Sequence, residues 1–440
     1  MWRSVIIFLF VYVIIASGRL HKAVVAVLGG CILIGLGGVS ERAAYAEIDL
    51  NVIFLLLGMM VLVGALARTG VFQWVAISLA RATRGSPVAV LVCLVAATGG
   101  LSAILDNVTT VLLMAPVTIL IADELELDPT LFLIFEAIGS NVGGTATLVG
   151  DPPNLLIGSE VGLSFNAFLL NLAPIVLVCL GGLAGTIWLL YRRRLYVPED
   201  IRARVRDAQP AGAITDRAEA IRVLAVLGLV LLGFFLHDTL GIAASVVALA
   251  GAMLALIVTG RDVHEAFGAV EWPTLMFFVG LFILVAGLDE QGVLAWIARR
   301  TVALTQGHLL LTVLVVLWGS AVISALVDNI PFVAAMVPVI GVVIPEIGAQ
   351  MGLQDPAVVA RLVGRPLWWS LALGACLGGN ATLIGASANV VTAGLAEKHG
   401  RPISFGRFAR YGVPTVVGTL LLCSVYVYVR YFLFVSWPSA

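Results

Sequence analysis

The chain alternates long apolar runs with short polar breaks, a pattern that predicts a series of membrane-spanning helices. Most runs continue for about 15 to 20 residues, close to the length that a helix needs to cross a bilayer. They lack the every-second-residue alternation of an outer-membrane barrel. The first helices are predicted near 3–18, 23–38 and 50–66. The amphipathic segment 71–84 is too short to span and is predicted to lie along the membrane surface.

Two runs are interrupted by the same polar motif. Ser-Ala-Ile-Leu-Asp-Asn at 102–107 recurs as Ser-Ala-Leu-Val-Asp-Asn at 324–329. The second arm of the first copy, at 108–122, is about 15 residues long and falls short of the roughly 20 needed to cross. We therefore predict two re-entrant hairpins, at 87–122 and 309–347, with an aspartate at each tip.

Each hairpin is followed by a glycine-rich break in the next apolar run. The first break is Ser-Asn-Val-Gly-Gly-Thr-Ala-Thr-Leu-Val-Gly-Asp-Pro-Pro-Asn at 140–154, and the second lies at 378–389. Several glycines and two prolines do not continue a helix. Unwound backbone within a membrane is tolerated only when protein buries it or a cavity adjoins it. A broken helix is predicted in each half, although a simple packing kink would leave a similar pattern.

The second half of the chain repeats the first. Gly58, Trp74, Asp106 and Asn107 are among many residues that recur as identical residues 222 positions later, and Gly-Gly-Thr-Ala-Thr-Leu at 143–148 matches Gly-Gly-Asn-Ala-Thr-Leu at 378–383. This self-similarity indicates gene duplication. We divide the chain into a first repeat at 1–191, an arginine-rich cytoplasmic linker at 192–222 and a second repeat at 223–440. Further helices are predicted near 174–191, 223–237, 243–259, 273–288 and 413–431.

Charge placement predicts the orientation of the repeats. Each repeat has five crossings, and an odd number inverts the second copy relative to the first. The segments 19–22, 67–87, 192–222, 260–272 and 397–411 then share one face and hold most of the lysines and arginines, which marks that face as cytoplasmic. Both termini are predicted outside, with the first hairpin entering from the cytoplasm and the second from the exterior.

The predicted fold class is thus an all-α polytopic membrane protein. It has two inverted repeats of about five transmembrane helices, each with a re-entrant hairpin and a broken helix. A hydrophobic content of 61% against 12% charged residues agrees, because so little polar surface does not cover a soluble globule of 440 residues. We expect an integral protein of the bacterial inner (plasma) membrane, with the lipid bilayer as its surroundings and no nucleic-acid partner. The sequence leaves open whether the protein forms a homo-oligomer.

The five cysteines lie inside apolar runs without metal-ligand spacing, and no Gly-Lys-Ser/Thr phosphate-binding loop is present. We predict neither disulfides, nor a metal site, nor a cofactor, nor ATP hydrolysis by this chain. Cys376, beside the second Gly-Gly pair, is interpreted as a small buried residue and not as a ligand. An intramembrane enzyme would need a nucleophile and a base, and no such pair stands out.

The two tips are predicted to meet near the membrane midplane and to form a transport site. Asp106 and Asp328 can each exchange between neutral and ionised forms, so each suits a proton or a sodium ion, although either could simply cap a helix. Neutral donors and acceptors in the motifs are predicted to complete the site: Asn107, Thr109, Thr110, Asn141, Thr145, Thr147, Asn154, Asn329, Asn380, Thr382 and Asn389.

Two further carboxylates leave alternatives open. Asp151 occurs only in the first repeat, where the second has Ala386, so it marks either a coupling-ion site or the N-cap of the helix after it. Glu136 lies in an apolar run, either as a proton-relay group or as a residue at a wet interface. The arginine-rich linker is interpreted as a topology determinant, with partner binding as the alternative.

The motif pair at 101–118 and 140–159 resembles the ion-transporter superfamily, in the branch of arsenite efflux permeases and pink-eyed-dilution-type permeases. The resemblance covers nearly the whole chain and implies a scaffold and a mobile part that moves the site in an elevator-like motion. Dicarboxylate transporters of that superfamily have Ser-Asn-Thr where this chain has Asp106-Asn107-Val108-Thr109 and Asp328-Asn329-Ile330-Pro331. An ionised aspartate there repels an anion and favours a neutral metalloid hydroxide or a cation.

The resulting hypothesis is a secondary transporter for proton-coupled efflux of arsenite and antimonite. Trivalent arsenic at neutral pH is chiefly As(OH)3, which oxygen and amide groups can bind without thiols. Sodium/proton antiport is the second hypothesis, and a channel is a third from another class. The resemblance also implies a cytosolic ATPase subunit as a candidate partner, for which the linker would be the docking segment.

Overall fold

The computed structural model describes residues 2–17, 19–207 and 209–433. Within these residues the regular elements are all helical. The predicted end of the first helix at Gly18 and the predicted location of both chain ends fall outside the described residues. The all-α polytopic class predicted from the apolar runs is confirmed.

In the described part of the first repeat the structure contains ten helices. They are α1 (Trp2–Ser17), α2 (Lys22–Gly35), α3 (Glu41–Ala46), α4 (Leu50–Ala67), α5 (Val71–Ala82), α6 (Pro87–Ser102), α7 (Asn107–Glu124), α8 (Pro129–Gly144), α9 (Pro152–Val161) and α10 (Phe165–Tyr191). The hairpin is formed by α6 and α7, and the broken helix by α8 and α9. Between the repeats, the linker forms α11 (Glu199–Arg206) and a single 3-10 turn.

The second repeat follows the same order. Its helices are α12 (Arg217–Leu240), α13 (Ala244–Thr259), α14 (Val263–Gly268), α15 (Trp272–Glu290), α16 (Val293–Thr305), α17 (Leu309–Leu326), α18 (Asn329–Gln350), α19 (Pro356–Val359), α20 (Arg365–Gly378), α21 (Ser387–Lys398) and α22 (Phe405–Tyr428). The short α19 has no counterpart in the first repeat. The second hairpin is formed by α17 and α18, and the second broken helix by α20 and α21.

The two repeats pack on each other through equivalent close contacts. A Cβ atom at Gly58 of α4 would lie 2.6 Å from the carbonyl carbon of Ala248 in α13, and one at Gly280 of α15 would lie 2.5 Å from that of Ala26 in α2. Both pairs of residues are related by the offset of 222. The internal duplication read from the sequence is therefore present in the packing as well.

The helices pack as two groups. We call α1 to α4 and α12 to α15 the scaffold group, because these helices pack chiefly on one another across the repeats. We call α6 to α10, α17, α18 and α20 to α22 the hairpin group. The amphipathic helices α5 and α16 pack on the hairpins, and α5 also contacts the linker.

Salt bridges join several segments that were predicted to share one face. Arg68 pairs with Glu265, Arg261 with Glu219 of the linker side, and Arg407 with Asp128. Partial burial opposes ionisation of Asp128, but hydrogen bonds from Thr130 and Arg407 outweigh it and lower the pKa of this carboxyl. The segments 67–87, 192–222 and 260–272 are thus tied by charged contacts, which agrees with placing them on a common side. Arg407 ties the segment 397–411 to the N-cap of α8 instead.

Two predictions about helix length were wrong. The helices expected to begin at 174 and 413 begin at Phe165 and Phe405 and carry Pro174 and Pro414 in their interiors. In apolar surroundings a helix can continue past a proline when its neighbours satisfy the freed carbonyl. The second arm of the first hairpin has 18 residues, not 15, and α7, α17 and α18 are all long and apolar enough to span. Arm length therefore does not identify the hairpins; the meeting of their tips does.

Candidate functional site

Each broken helix is held against the tip of its own hairpin. The Thr147 hydroxyl donates to the Ala103 carbonyl at 2.5 Å, and in the second repeat the Thr382 hydroxyl donates to the Ala325 carbonyl at 2.5 Å. A Cβ atom at Gly143 would lie 1.9 Å from the Gly99 carbonyl oxygen, so the backbones meet only because this residue is glycine. The breaks are true unwindings and not packing kinks.

Two asparagines satisfy the carbonyls that the unwinding exposes. The Asn154 amide donates to the carbonyls of Thr145 and Thr147 at 3.1 and 2.8 Å. Asn389 does the same for Gly379 and Thr382, both at 2.9 Å. Because both amides are fully buried and occupied by backbone, they shape the site and do not face the cavity.

Asp106 forms the tip of the first hairpin. Its carboxylate accepts from the Thr109 amide at 2.8 Å and from the Thr109 hydroxyl at 2.5 Å, and the Thr110 hydroxyl donates to its carbonyl at 2.8 Å. It is thus the N-cap of α7. Its capping role does not remove it from the candidate site, since the residue also lines the cavity described below.

Asp151 lies between the two tips. Asn107 of the first tip donates to it at 3.1 Å, and Asn329 of the second tip reaches both of its oxygens at 3.4 Å. The side chain is fully buried, and although it occupies the N-cap position of α9 it makes no capping hydrogen bond. Of the two interpretations left open by the sequence, the contacts disfavour a cap.

Behind Asp151, asparagine side chains connect the two repeats. Asn141 accepts from Asn107 at 3.0 Å and donates to Asn380 and Asn389 at 2.9 Å each. Its carbonyl accepts from the Thr145 hydroxyl at 2.8 Å. These side chains form a buried network one step away from the cavity.

Asp328 forms the second tip and has different partners from Asp106. One carboxylate oxygen accepts a hydrogen bond from the Ile330 amide at 3.2 Å. The other accepts from the Lys22 ammonium group and from the Ser387 hydroxyl, each at 2.9 Å. Lys22 belongs to the scaffold group. The second tip is therefore bound to both helix groups.

A cavity of about 370 Å³ joins the tips. Five predicted site residues line it: Asp106, Asn107, Asp151, Asp328 and Asn329. His21, Lys22, Glu271 and Ser387 also contribute, as do apolar side chains such as Met60 and Val391. Four carboxyl groups thus face one lysine and one histidine, so the cavity disfavours multiply charged anions and suits neutral or cationic species.

The other predicted residues support this lining without joining it. These are Thr109, Thr110, Asn141, Thr145, Thr147, Asn154, Asn380, Thr382 and Asn389, each engaged as described above. Cys376 is buried 3.7 Å from the Asn154 side-chain oxygen, and among the described lining residues none is a cysteine.

Glu136 lies away from the cavity. One of its oxygens accepts from Thr98 at 2.9 Å and from Thr118 at 3.0 Å, which places it between α8 and both arms of the first hairpin. The residue is 1% exposed, so the wet-interface interpretation is wrong.

The cavity roles of Lys22, Glu271 and Ser387 were not predicted from the sequence. Lys22 was read only as a topology signal in a basic turn, and Ser387 as part of the second break. The available signal was weak: Lys22 directly precedes an apolar run, and its counterpart 222 positions later is Ala244. Pairing between residues 306 positions apart is visible only after folding.

Comparisons with known proteins agree with this architecture. Residues 12–374 match the citrate transporter family, CitMHS. An uncharacterized transporter of Mycobacterium tuberculosis is 43% identical over 98% of this chain and 98% of its own length. The human P protein is 34% identical over 92% of this chain and 57% of its own length.

A solved structure also shares the fold. The YdaH transporter of Alcanivorax borkumensis superposes with a TM-score of 0.61, at 16% identity, over 91% of this chain and 87% of that one. The topology of that transporter is described as unusual. The chain is therefore a membrane transporter and not an enzyme, and it belongs to the CitMHS family of the ion-transporter superfamily, in the branch that includes the P protein.

Proposed function

We propose that this transporter exports arsenite and antimonite in exchange for protons. The observation that carries the proposal is the lining of the 370 Å³ cavity, where carboxyl and amide groups from both hairpin tips converge on one space. As(OH)3 is neutral and presents three hydroxyls, which can donate to carboxylates and accept from amides. No thiol is needed for that recognition.

Protons are the proposed coupling ion because the cavity contains carboxyl groups in an apolar setting. Within the described part of the chain, Asp106 and Asp151 accept hydrogen bonds from neutral groups and not from a cation, so protonation is the simplest way to neutralise them. Binding of As(OH)3 and binding of protons would then compete for the same oxygens. Competition of this kind produces exchange.

The family's name raises citrate as a cargo, and the cavity argues against it. A citrate trianion would meet Asp106, Asp151, Asp328 and Glu271 with Lys22 already paired. Coulomb repulsion among such groups is large in a cavity walled by low-dielectric protein. Anion recognition would need a basic site that these residues do not supply.

The proposed motion displaces the hairpin group past the scaffold group. Both tips and both breaks belong to the hairpin group and would move together, carrying the site across an elevator-like path. The division at 1–191, 192–222 and 223–440 is retained as the proposed domain organisation. The proposal also includes an inner-membrane location, external termini, a homo-oligomer and a cytosolic ATPase subunit docked on the linker.

Expression in an arsenite-sensitive bacterium tests the cargo. We expect resistance to arsenite and antimonite, and accumulation of arsenite by everted vesicles energised through respiration. Citrate should neither accumulate nor compete. Arsenite sensitivity unchanged by a well-expressed protein, together with citrate uptake, would overturn the proposal.

Sodium/proton antiport is the second candidate, favoured by the excess of carboxyl groups in the cavity. It predicts that sodium dissipates a pH gradient in the same vesicles when arsenite is absent. A channel predicts downhill flux only, without accumulation against a gradient.

A further inference from the structure

Lys22 connects the two helix groups across the cavity. Its ammonium nitrogen lies 2.9 Å from Asp328 and 2.6 Å from the Ser387 hydroxyl, and 5.0 Å from the centre of the Phe277 ring. Lys22 begins α2 in the scaffold group, whereas Asp328 and Ser387 begin α18 and α21 in the hairpin group. Any displacement of one group along the other must break this ion pair.

Among the described residues, no cation pairs with Asp106 of the first tip. At the offset of 222, Lys22 corresponds to Ala244, and at the offset of 235, Ser387 corresponds to Pro152. Asp106 receives the Thr109 hydroxyl instead, and Thr109 in turn corresponds to Pro331. Of these side-chain partners that differ between the tips, Lys22 is the charged one, and it pairs with Asp328.

The cavity is also one-sided. It is lined by Leu20 and His21 beside Lys22, on the face predicted to be cytoplasmic. A second cavity, of about 190 Å³, occupies the corresponding position after exchange of the two repeats. It is lined by Asn51, Leu155 and Ser245, and neither hairpin tip is among its described lining residues. The Lys22 ion pair thus belongs to a state in which the tips adjoin the first of these two cavities and not the second.

We propose that Lys22 is a tethered cation that occupies the Asp328 site in this state and that leaves it when the hairpin group moves. The ammonium group takes the place of a monovalent cation, with Asp328 and Ser387 as its oxygen ligands. After separation Lys22 returns to water, which its 26% exposed side chain already reaches, and Asp328 binds a proton or a metal cation. The inference deepens the proposed function, because it assigns the two aspartates different ions in this state.

One consequence is a bias in the conformational equilibrium. An ion pair present in one state and absent in the other favours the first by its net free energy. Without it, the state open to the Lys22 side loses population. Asp106, lacking such a partner, offers no matching bias to the opposite state.

Labelling of a cavity residue measures that population without any substrate. Ile384 lines the cavity and is 39% exposed, so Ile384→Cys in a cysteine-free chain serves as the reporter. Inside-out vesicles expose the predicted cytoplasmic face to a membrane-impermeant thiol reagent. We expect Lys22→Met to slow labelling about threefold or more, the scale of a partly exposed ion pair.

The controls separate charge from packing. Lys22→Arg should label like the parent chain, and Lys398→Met, which removes the other lysine of the chain from an exposed helix end, should have no effect. Exchange of the pair, Lys22→Asp with Asp328→Lys, should restore labelling. If Lys22→Met fails to fold, Asp328→Asn removes the same pair from the other side.

Unchanged labelling in Lys22→Met and Asp328→Asn would overturn the inference, as would equal slowing by Lys22→Arg. Because no substrate is present, these outcomes are independent of cargo. A chain that shows the labelling shift yet transports no arsenite would refute the proposed function and retain the tethered cation.

Discussion

At the residue scale, the aspartates of the tips combine a helix cap with a place in the cavity. Asp106 caps α7 through the Thr109 amide and lines the cavity with its remaining surface. Asparagine caps a helix as well as aspartate does, yet it does not titrate. An amide substitution therefore separates the two roles.

Asp106→Asn should keep the folded protein and abolish proton-coupled arsenite accumulation. Asp106→Glu should be milder, because it keeps a titratable carboxyl. Uptake by everted vesicles, normalised to protein that elutes as a single peak on gel filtration, provides the measurement. Full accumulation by the Asn variant would reduce Asp106 to a cap.

Asp151 carries the strongest sequence asymmetry between the repeats. It accepts hydrogen bonds from Asn107 and Asn329, so Asp151→Ala leaves the buried Asn329 amide without this acceptor and Asn107 with Asn141 alone, and should destabilise the protein by about 1–3 kcal/mol. Accumulation should be lost. Asp151→Asn keeps one acceptor and should recover much of the stability but not the coupling.

Two measurements distinguish the loss of stability from the loss of coupling. Gel filtration follows thermal unfolding, and vesicle uptake follows accumulation. Asp216→Ala, at an exposed cap in the linker, provides a matched control for loss of an aspartate. A stable and fully coupled Asp151→Ala protein would contradict the central position given to this residue.

The thiols provide a further residue-scale prediction. A chain with all five cysteines changed to Ser or Ala should keep substantial arsenite transport, because none of the described lining residues of the cavity is a cysteine. Resistance of cells expressing equal amounts of both proteins is the measurement. Loss of transport that reverts when Cys376 alone is restored would show that a thiol contributes.

At the element scale, glycine contacts fix how the repeats join. Gly58→Ala and Gly280→Ala should each destabilise the protein by about 1–3 kcal/mol, since the added methyl group would meet backbone of the partner helix. Gly64→Ala in the same α4 should be neutral: nothing lies within 4 Å, and its counterpart in the second repeat is Ala286. Equal melting temperatures for all three variants would contradict the interlocked repeats.

Much of this architecture was predictable at the level of elements. The hairpins and breaks contain groups that are costly in apolar surroundings, and the duplication presents each signal twice. Helix starts were less predictable, because Pro174 and Pro414 read as boundaries but are tolerated inside packed membrane helices. Local sequence does not record which neighbour satisfies a freed carbonyl.

The site was predictable in type more than in detail. Asn154 and Asn389 were predicted, like Asn107, to be ligands, whereas the amides of these two residues donate to backbone carbonyls. It also did not predict Lys22, the first residue of α2, or Glu271, the N-cap of α15, as cavity residues. Such assignments depend on which side chains face each other across hundreds of positions.

At the scale of the whole molecule, the two groups of helices are the parts whose relative motion the proposed mechanism requires. The hairpin group holds both tips and both breaks, and the scaffold group contributes Lys22 and Glu271 to the same cavity. A site shared in this way changes its composition when one group moves. Coupling between substrate and proton would follow from that change.

Arsenite accumulation by purified protein in liposomes tests this account most directly. With an acidic interior and a neutral exterior, and no other energy source, proton exchange should concentrate arsenite inside above its external level. An uncoupler should release it, and Asp106→Asn protein should show no accumulation. Equilibration without concentration, or concentration that persists in the Asn variant, would contradict proton-coupled transport through the hairpin tips.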